Sequence, residues 1–133
     1  MNIPQTAEYA LRAIVWLARE PAVVRKTAEV ARATQVPSGY LSKVLQALCR
    51  EQLLTSTAGR KGGFRIARPA SQISVLDVIR AVGPVGRIQG CPLGIASHNG
   101  ALCPLHRRLD EAMESIERAF AATCIAELPL SPS

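Results

Sequence analysis

Residues 36–48 read V-P-S-G-Y-L-S-K-V-L-Q-A-L, and ten residues later 59–69 read G-R-K-G-G-F-R-I-A-R-P. In the first stretch Tyr40, Leu41, Val44, Leu45 and Leu48 recur at three- and four-residue steps, which predicts a helix over 38–51 with one apolar stripe. Ser38, Gly39, Ser42, Lys43, Gln46 and Arg50 fall on the other face. Upstream, residues 27–35 predict a short helix with Thr27 as its N-cap, Glu29 near the positive helix end, and Val30 and Ala31 inward. The turn Gln35-Val36-Pro37-Ser38 separates the two. A short helix, a tight turn and a second helix form a helix-turn-helix, whose second helix enters the major groove with its first turns against base edges. Small residues at Ser38, Gly39 and Ser42 permit close approach, and Lys43 can reach a base or a phosphate. An ordinary helical hairpin is the competing reading.

The second stretch decides between them. Leu53–Thr57 has strand character, and Phe64–Arg68 alternates apolar and basic residues. The glycine-rich segment between them suits a hairpin turn, with Arg60 and Lys61 at its tip. Such a hairpin is a wing, and a basic tip beside a recognition helix meets the phosphate backbone or the minor groove. A phosphate-cradling loop is excluded, because no Gly-Lys-Ser/Thr follows and the segment joins two strands.

Outward from this centre, residues 5–19 predict a first helix (Ala7, Ala10, Leu11, Ile14, Leu17, Ala18) with Thr6 as N-cap and Pro21 as its stop. Glu8 and Arg12 stand one turn apart, the spacing of an ion pair, and Tyr9 and Trp16 are read as core. Ser74 followed by Asp77 is a capping-box pattern opening a helix over 74–82, ended by Gly83-Pro84. Residues 84–103 have no long periodic segment and read as a loop. Pro104 fits the first position of a long helix over 104–124, where Leu105, Leu109, Ala112, Met113, Ile116, Phe120 and Thr123 form a narrow seam. That seam suits a helix of a second subunit, because the core is already complete before it; folding back on its own domain is the alternative. The expected organisation is mainly α: a winged helix-turn-helix domain over 1–83 with a two-stranded β wing, a cysteine-containing sensor loop over 84–103, a dimerisation helix over 104–126 and a flexible tail over 127–133.

Charge divides the same way. Residues 1–70 carry eleven Lys/Arg against four Asp/Glu, and residues 71–133 carry five against six, which together give the net +6 of the chain. A basic first half implies a polyanionic partner for that half. Hydrophobic residues make up 48% of the 133, which excludes a disordered chain. The start has no signal-peptide pattern and no apolar run is long enough to span a membrane, so a cytoplasmic protein is expected.

Four cysteines remain: Cys49, Cys91, Cys103 and Cys124. Without a secretion signal, a disulfide framework is not expected, and loop cysteines point to metal, cluster or redox use. Cys91 and Cys103, each followed by proline, have eleven residues between them, and His106 follows Cys103 by three. Cys103 falls at the N-cap of the long helix, where unpaired N–H groups favour a thiolate or an anionic cluster. Cys49 is read as a core thiol and Cys124 as the structural or free end of the long helix. A small metalloenzyme or electron carrier could use the same loop. No paired carboxylates or nucleophile elbow accompany it, so an enzyme is not expected.

The order of these parts is recognisable. T-A-E-Y-A-L-R-A at 6–13, the 36–48 and 59–69 stretches, and I-S-V-L-D-V-I-R-A-V at 73–82 together resemble the Rrf2 family of transcription regulators over roughly residues 1–124. That family includes an iron–sulfur cluster regulator, a nitric-oxide-sensing repressor and a cysteine metabolism repressor. The resemblance implies a homodimeric winged-helix regulator, most simply a repressor, on double-stranded DNA with dyad symmetry, one half-site per subunit. The residues expected to bind DNA on the helix-turn-helix and wing pattern are Thr27, Ser38, Gly39, Tyr40, Ser42, Lys43, Arg60, Lys61 and Arg65. Cluster-binding members carry three cysteines before the long helix. Cys91 matches the first and Cys103 the third, whereas Ser97 and His98 stand where the middle one belongs. His106 matches a histidine ligand of the cluster regulator, and Glu8 matches an acidic ligand that some members recruit from the first helix. The implied cofactor is an iron–sulfur cluster, with a [2Fe–2S] type suited to mixed ligands: Cys91, Cys103, His106 and a fourth from Glu8 or His98. A reversible Cys91–Cys103 disulfide, a Zn²⁺ site, or no cofactor at all are the alternatives the loop leaves open.

Overall fold

The computed structural model describes residues 3–83, 93–94 and 103–129. Five helices and one hairpin follow in the order α1 (Gln5–Ala18), α2 (Thr27–Thr34), α3 (Ser38–Arg50), β1 (Leu54–Thr57), β2 (Gly63–Ile66), α4 (Val75–Val82) and α5 (Pro104–Ala122), with short 3-10 turns at Ala70–Gln72 and Ile125–Glu127. The mainly helical, winged architecture expected from the sequence is the one observed.

Helices α1, α3 and α4 share one core. Ile14, Val30, Leu41, Leu45, Leu48, Leu53, Ile73 and Val78 are fully buried there. Each such side chain stabilises the fold by about 1.5–3 kcal/mol relative to exposure. The caps differ in detail from the sequence reading. Helix α1 begins at Gln5 behind Pro4, so Thr6 lies inside its first turn. Lys26, not Thr27, takes the N-cap of α2, and its backbone N–H donates to the Glu29 carboxylate at 3.2 Å. The Ser74/Asp77 box is present, with reciprocal bonds of 3.0 Å.

β1 and β2 pair antiparallel in the register Leu54↔Ile66, Thr55↔Arg65, Ser56↔Phe64 and Thr57↔Gly63. A third segment joins them through an antiparallel bridge between Arg25 and Phe64. Gly63 has φ +152, and a side chain there would strike the Arg25 carbonyl, so the bridge requires glycine.

The long helix ends earlier than its periodicity suggests. It stops at Ala122; Thr123 and Cys124 are extended, and Cys124 forms a bridge with Ser74. Val75 N–H donates to the Thr123 carbonyl at 2.9 Å, and Ile125 N–H to the Ile73 carbonyl at 2.8 Å. Ile125 is 0% exposed in the core of the first domain. Two backbone bonds and a buried isoleucine outweigh another helical turn, so the dimerisation helix expected over 104–126 is four residues shorter. The segment expected to be a loose tail from 127 is tied at its start. Cys124 N–H donates to Glu127 Oε2 at 2.6 Å, and Leu128 packs against the core.

Candidate nucleic-acid interface and sensor residues

Helix α2 is closed by its C-cap Gln35, whose φ of 57° is left-handed, and Val36 is buried in the turn. Pro37 then opens α3. Burial of Leu41, Val44, Leu45, Ala47 and Leu48 orients this helix and leaves Ser38, Gly39, Tyr40, Lys43, Gln46 and Arg50 exposed, with Ser42 half-buried. Nothing lies within 4 Å of a Cβ built on Gly39, so the fold itself does not demand glycine there.

Tyr40 departs from the apolar stripe to which its spacing assigns it. It is 60% exposed and stands edge-on to Tyr9, with ring centroids 6.1 Å apart. Tyr9 is only half-buried, and the Arg12 guanidinium lies 5.8 Å from its ring centroid instead of pairing with Glu8. A cation and two aromatic rings thus line the seam between α1 and α3, beside the reading face. A cavity of about 290 Å³ adjoins it, lined by Thr6, Tyr40, Lys43, Val44, Ala47, Arg50 and Val82.

In the wing, Arg60 and Lys61 are exposed between the strands, and Arg65 projects from β2 opposite Thr55. Thr27 is half-buried at the start of α2. The described DNA-binding candidates therefore fall on two adjoining elements, α3 and the wing, apart from Thr27 at the start of α2. Arg25 did not stand out in the sequence. Its guanidinium reaches Glu20 at 3.0 Å and Glu29 at 3.2 Å and lies 5.3 Å from the Trp16 ring centroid. The Arg–Glu spacing of four was the signal available. Glu29 ionises below its ordinary range because it accepts the Lys26 backbone N–H and, next, a bond from Arg25.

At the other end of the chain, Cys103 is the N-cap of α5, as its spacing implied. Its Sγ accepts the His106 backbone N–H at 3.3 Å, and Pro104 follows at the first position. His106 is the one buried residue of α5, 8% exposed. Two donors that the iron–sulfur reading needs are therefore brought to one helical turn, at a helix end that favours negative charge. Cys91 and His98 lie outside the described residues. Among the described residues no three His, Cys, Asp or Glu side chains gather, so Glu8 does not join Cys103 and His106 within one chain. Cys49 is half-buried beside the core, and burial pushes its thiol pKa up, which suits a packing role. Cys124 lies in the bridge after α5.

No helix among the described residues is long and apolar enough to cross a membrane. A family model described as Rrf2, iron-dependent transcriptional regulator, matches residues 3–129. A Mycobacterium tuberculosis protein named as an HTH-type transcriptional regulator is 36% identical over 121 residues, which cover 87% of this chain and 75% of that protein. An Aquifex aeolicus protein named in the same way is 28% identical over 131 residues, covering 96% and 91%. Among solved structures, T. potens IscR superposes with a TM-score of 0.77 at 19% identity, covering 96% of this chain and 85% of its own. CymR, the global cysteine regulator of B. subtilis, superposes with a TM-score of 0.74 at 19% identity, covering 96% and 95%.

Proposed function

We propose, from the premise that this chain belongs to the Rrf2 family of transcriptional regulators, that it acts as a homodimer on a dyad-symmetric operator and that its affinity answers to a signal at the Cys91–His106 segment. As a member of that family it is a DNA-binding winged-helix regulator and not an enzyme. The observation that carries the reading is the division of α3: one face fills the core, and the other, from Ser38 to Arg50, is exposed beside the basic wing. On this reading Ser38, Gly39, Tyr40, Ser42 and Lys43 meet base edges in the major groove. Arg60, Lys61 and Arg65 hold phosphates or a minor groove, and Thr27 meets the backbone. Repression follows when the bound protein occludes a promoter.

For the signal, Cys91, Cys103 and His106 would supply ligands to an iron–sulfur cluster, most suitably [2Fe–2S], with Glu8 of a second subunit or His98 completing the set. Such a cluster supplies one-electron redox chemistry and sensitivity to nitric oxide. What this chain's own residues do is visible at α5. Cys103 fixes the first turn, so a change of state at its sulfur alters the cap of the long helix. A difference in affinity follows only if the signal favours one arrangement of the dimer over another. A second reading, a Cys91–Cys103 thiol–disulfide switch with no cofactor, draws support from the fold shared with the cysteine regulator.

The tests separate these statements. A duplex selected by the protein from a random pool should be palindromic, and binding should fall steeply with salt. Absence of binding at low salt in both oxidised and reduced protein would end the DNA reading. Anaerobic purification with a visible spectrum and iron and sulfide analysis decides the cofactor. Colourless, iron-free protein after reconstitution leaves the disulfide switch, which Cys91→Ala then removes.

A further inference from the structure

Arg25 stands between α1 and α2, far in sequence from the wing, yet its backbone serves as the wing's third strand. Its N–H donates to the Phe64 carbonyl at 2.8 Å, and its carbonyl accepts the Phe64 N–H at 2.7 Å. Among the described residues this is the one backbone link on the outer edge of β2. Two hydrogen bonds at the edge of a four-residue strand open readily unless something else holds the segment.

The side chain of Arg25 is what holds it. One arm of the guanidinium reaches Glu20, just beyond α1, and the other reaches Glu29 in the first turn of α2. The flat face covers Trp16 of α1. Only 27% of the side chain is exposed. Three partners on two sides fix the short connection, and an arginine suits it because a planar fork can engage two carboxylates while stacking on a ring. Both arms of the guanidinium are thus already engaged by carboxylates. Beside its bridge partner Phe64 stands Gly63, where a side chain would strike the Arg25 carbonyl. The wing's second strand is therefore seated directly on this residue.

We propose that Arg25 is a positioning residue for DNA binding: its links to Glu20, Glu29 and Trp16 seat Phe64 and so set where Arg60, Lys61 and Arg65 stand relative to α3. The proposal rests on the wing touching DNA, as argued above. Arg25 contacts no nucleic acid itself; it acts through the hairpin.

The test is a double-mutant cycle on the full chain, read as affinity for a mixed-sequence duplex at low salt. Arg25→Lys keeps the net charge, so any loss it causes is not lost attraction. It should weaken binding about five- to tenfold, a coupling within the range of residues sharing one network. In an Arg60→Ala, Lys61→Ala background the same change should cost less than about twofold, because the basic tip it positions is gone. Equal losses in both backgrounds would show that Arg25 acts elsewhere and would overturn the proposal. Hydrogen exchange at the Phe64 amide supplies the direct measurement: Arg25→Lys should speed it while amides of α3 keep their protection. An unchanged Phe64 amide overturns the proposal as well. If Arg25→Lys loosens the whole core, Glu20→Gln, at an exposed carboxylate, is read in the same cycle by the same rule. Failure of the wild-type protein to bind any duplex would defeat the DNA reading, and the Phe64 amide would still decide whether Arg25 anchors the hairpin.

Discussion

Helices α3 and α5 are both amphipathic, yet they use their apolar faces in opposite ways. Helix α3 has 13 residues and buries five of them, all apolar. Helix α5 has 19 residues and buries one, His106, while Leu105 and Ile116 on its seam remain 42% and 38% exposed. The first helix is held by its own domain, which leaves its polar face exposed. The second is held to the domain by packing on α4, by Phe120, by the Arg80–Glu117 pair at 3.8 Å and by the return of the chain through Ile125, and its middle is only partly covered. A stripe of Leu109, Met113 and Ile116 left half-open in this way is what a second copy would cover.

The sharpest way to break this contrast is to remove apolar groups from each helix in turn. Leu45→Ala in α3 empties a fully buried site and should cost about 2–5 kcal/mol, a large part of the stability of a domain this size. Ile125→Ala should cost a similar amount, because that residue is as buried although it lies beyond α5. Thermal or urea unfolding measures both. Ile116→Lys should leave the isolated fold within about 0.5 kcal/mol, as exposed substitutions do, but abolish the dimer in sedimentation velocity. If Ile116→Lys unfolds the protein as badly as Leu45→Ala, the two helices do not differ in the way argued.

The same contrast explains what the sequence could and could not reveal. Helix α3, the wing and α4 were legible because their signals are local: the 3.6-residue stripe around Leu41 and Leu45, the glycines beside Arg60 and Lys61, and the Ser74/Asp77 cap. The end of α5 was not legible, because Thr123 continues the helical spacing. What stops the helix is a pair of bonds to Ile73 and Val75, which are remote in sequence. The exposure of Tyr40 departs from its place on the apolar stripe, though not from its place among the DNA-binding candidates. Its spacing fits the buried stripe, but at the start of the helix its ring stands edge-on to Tyr9 and stays 60% exposed. Of the candidate site, the reading face of α3 was visible as small and polar residues at helical spacing. Arg25 was not, because its role depends on a bridge to Phe64 that no local pattern announces.

A smaller effect should separate the two elements proposed to face DNA. Lys43→Ala on α3 should weaken binding and, if Lys43 meets a base, relax the preference at one operator position, at a cost of about 1–3 kcal/mol. Arg60→Ala on the wing should weaken binding almost equally on all sequences and reduce the salt slope by about 1. Binding isotherms at several salt concentrations on selected and scrambled duplexes read both. An unchanged salt slope in Arg60→Ala would place the wing tip away from the phosphates.

The smallest expected effect compares two carboxylates that close turns in these regions. Glu29 caps α2 beside the reading helix, and Glu127 closes the 3-10 turn after α5. Both ionise below their ordinary value of 4.5, chiefly because each accepts a backbone N–H, from Lys26 and from Cys124. A carboxylate whose folded pKa is depressed adds stability that is present above its unfolded value and is lost as pH falls through the folded one. The thermal midpoint of the wild-type protein should therefore decline below pH 4.5, and Glu29→Gln or Glu127→Gln should each flatten part of that decline. Glu127 is exposed and Glu29 is half-buried with its carboxylate still in contact with solvent, so each change should be small. Glu29 also holds Arg25, whereas Glu127 holds only its own turn. Acidification should thus loosen the wing in the wild-type protein, and Glu29→Gln should loosen it already at neutral pH. Glu127→Gln should leave the Phe64 amide untouched, and equal exchange at that amide in the two variants would separate the α2 cap from the wing.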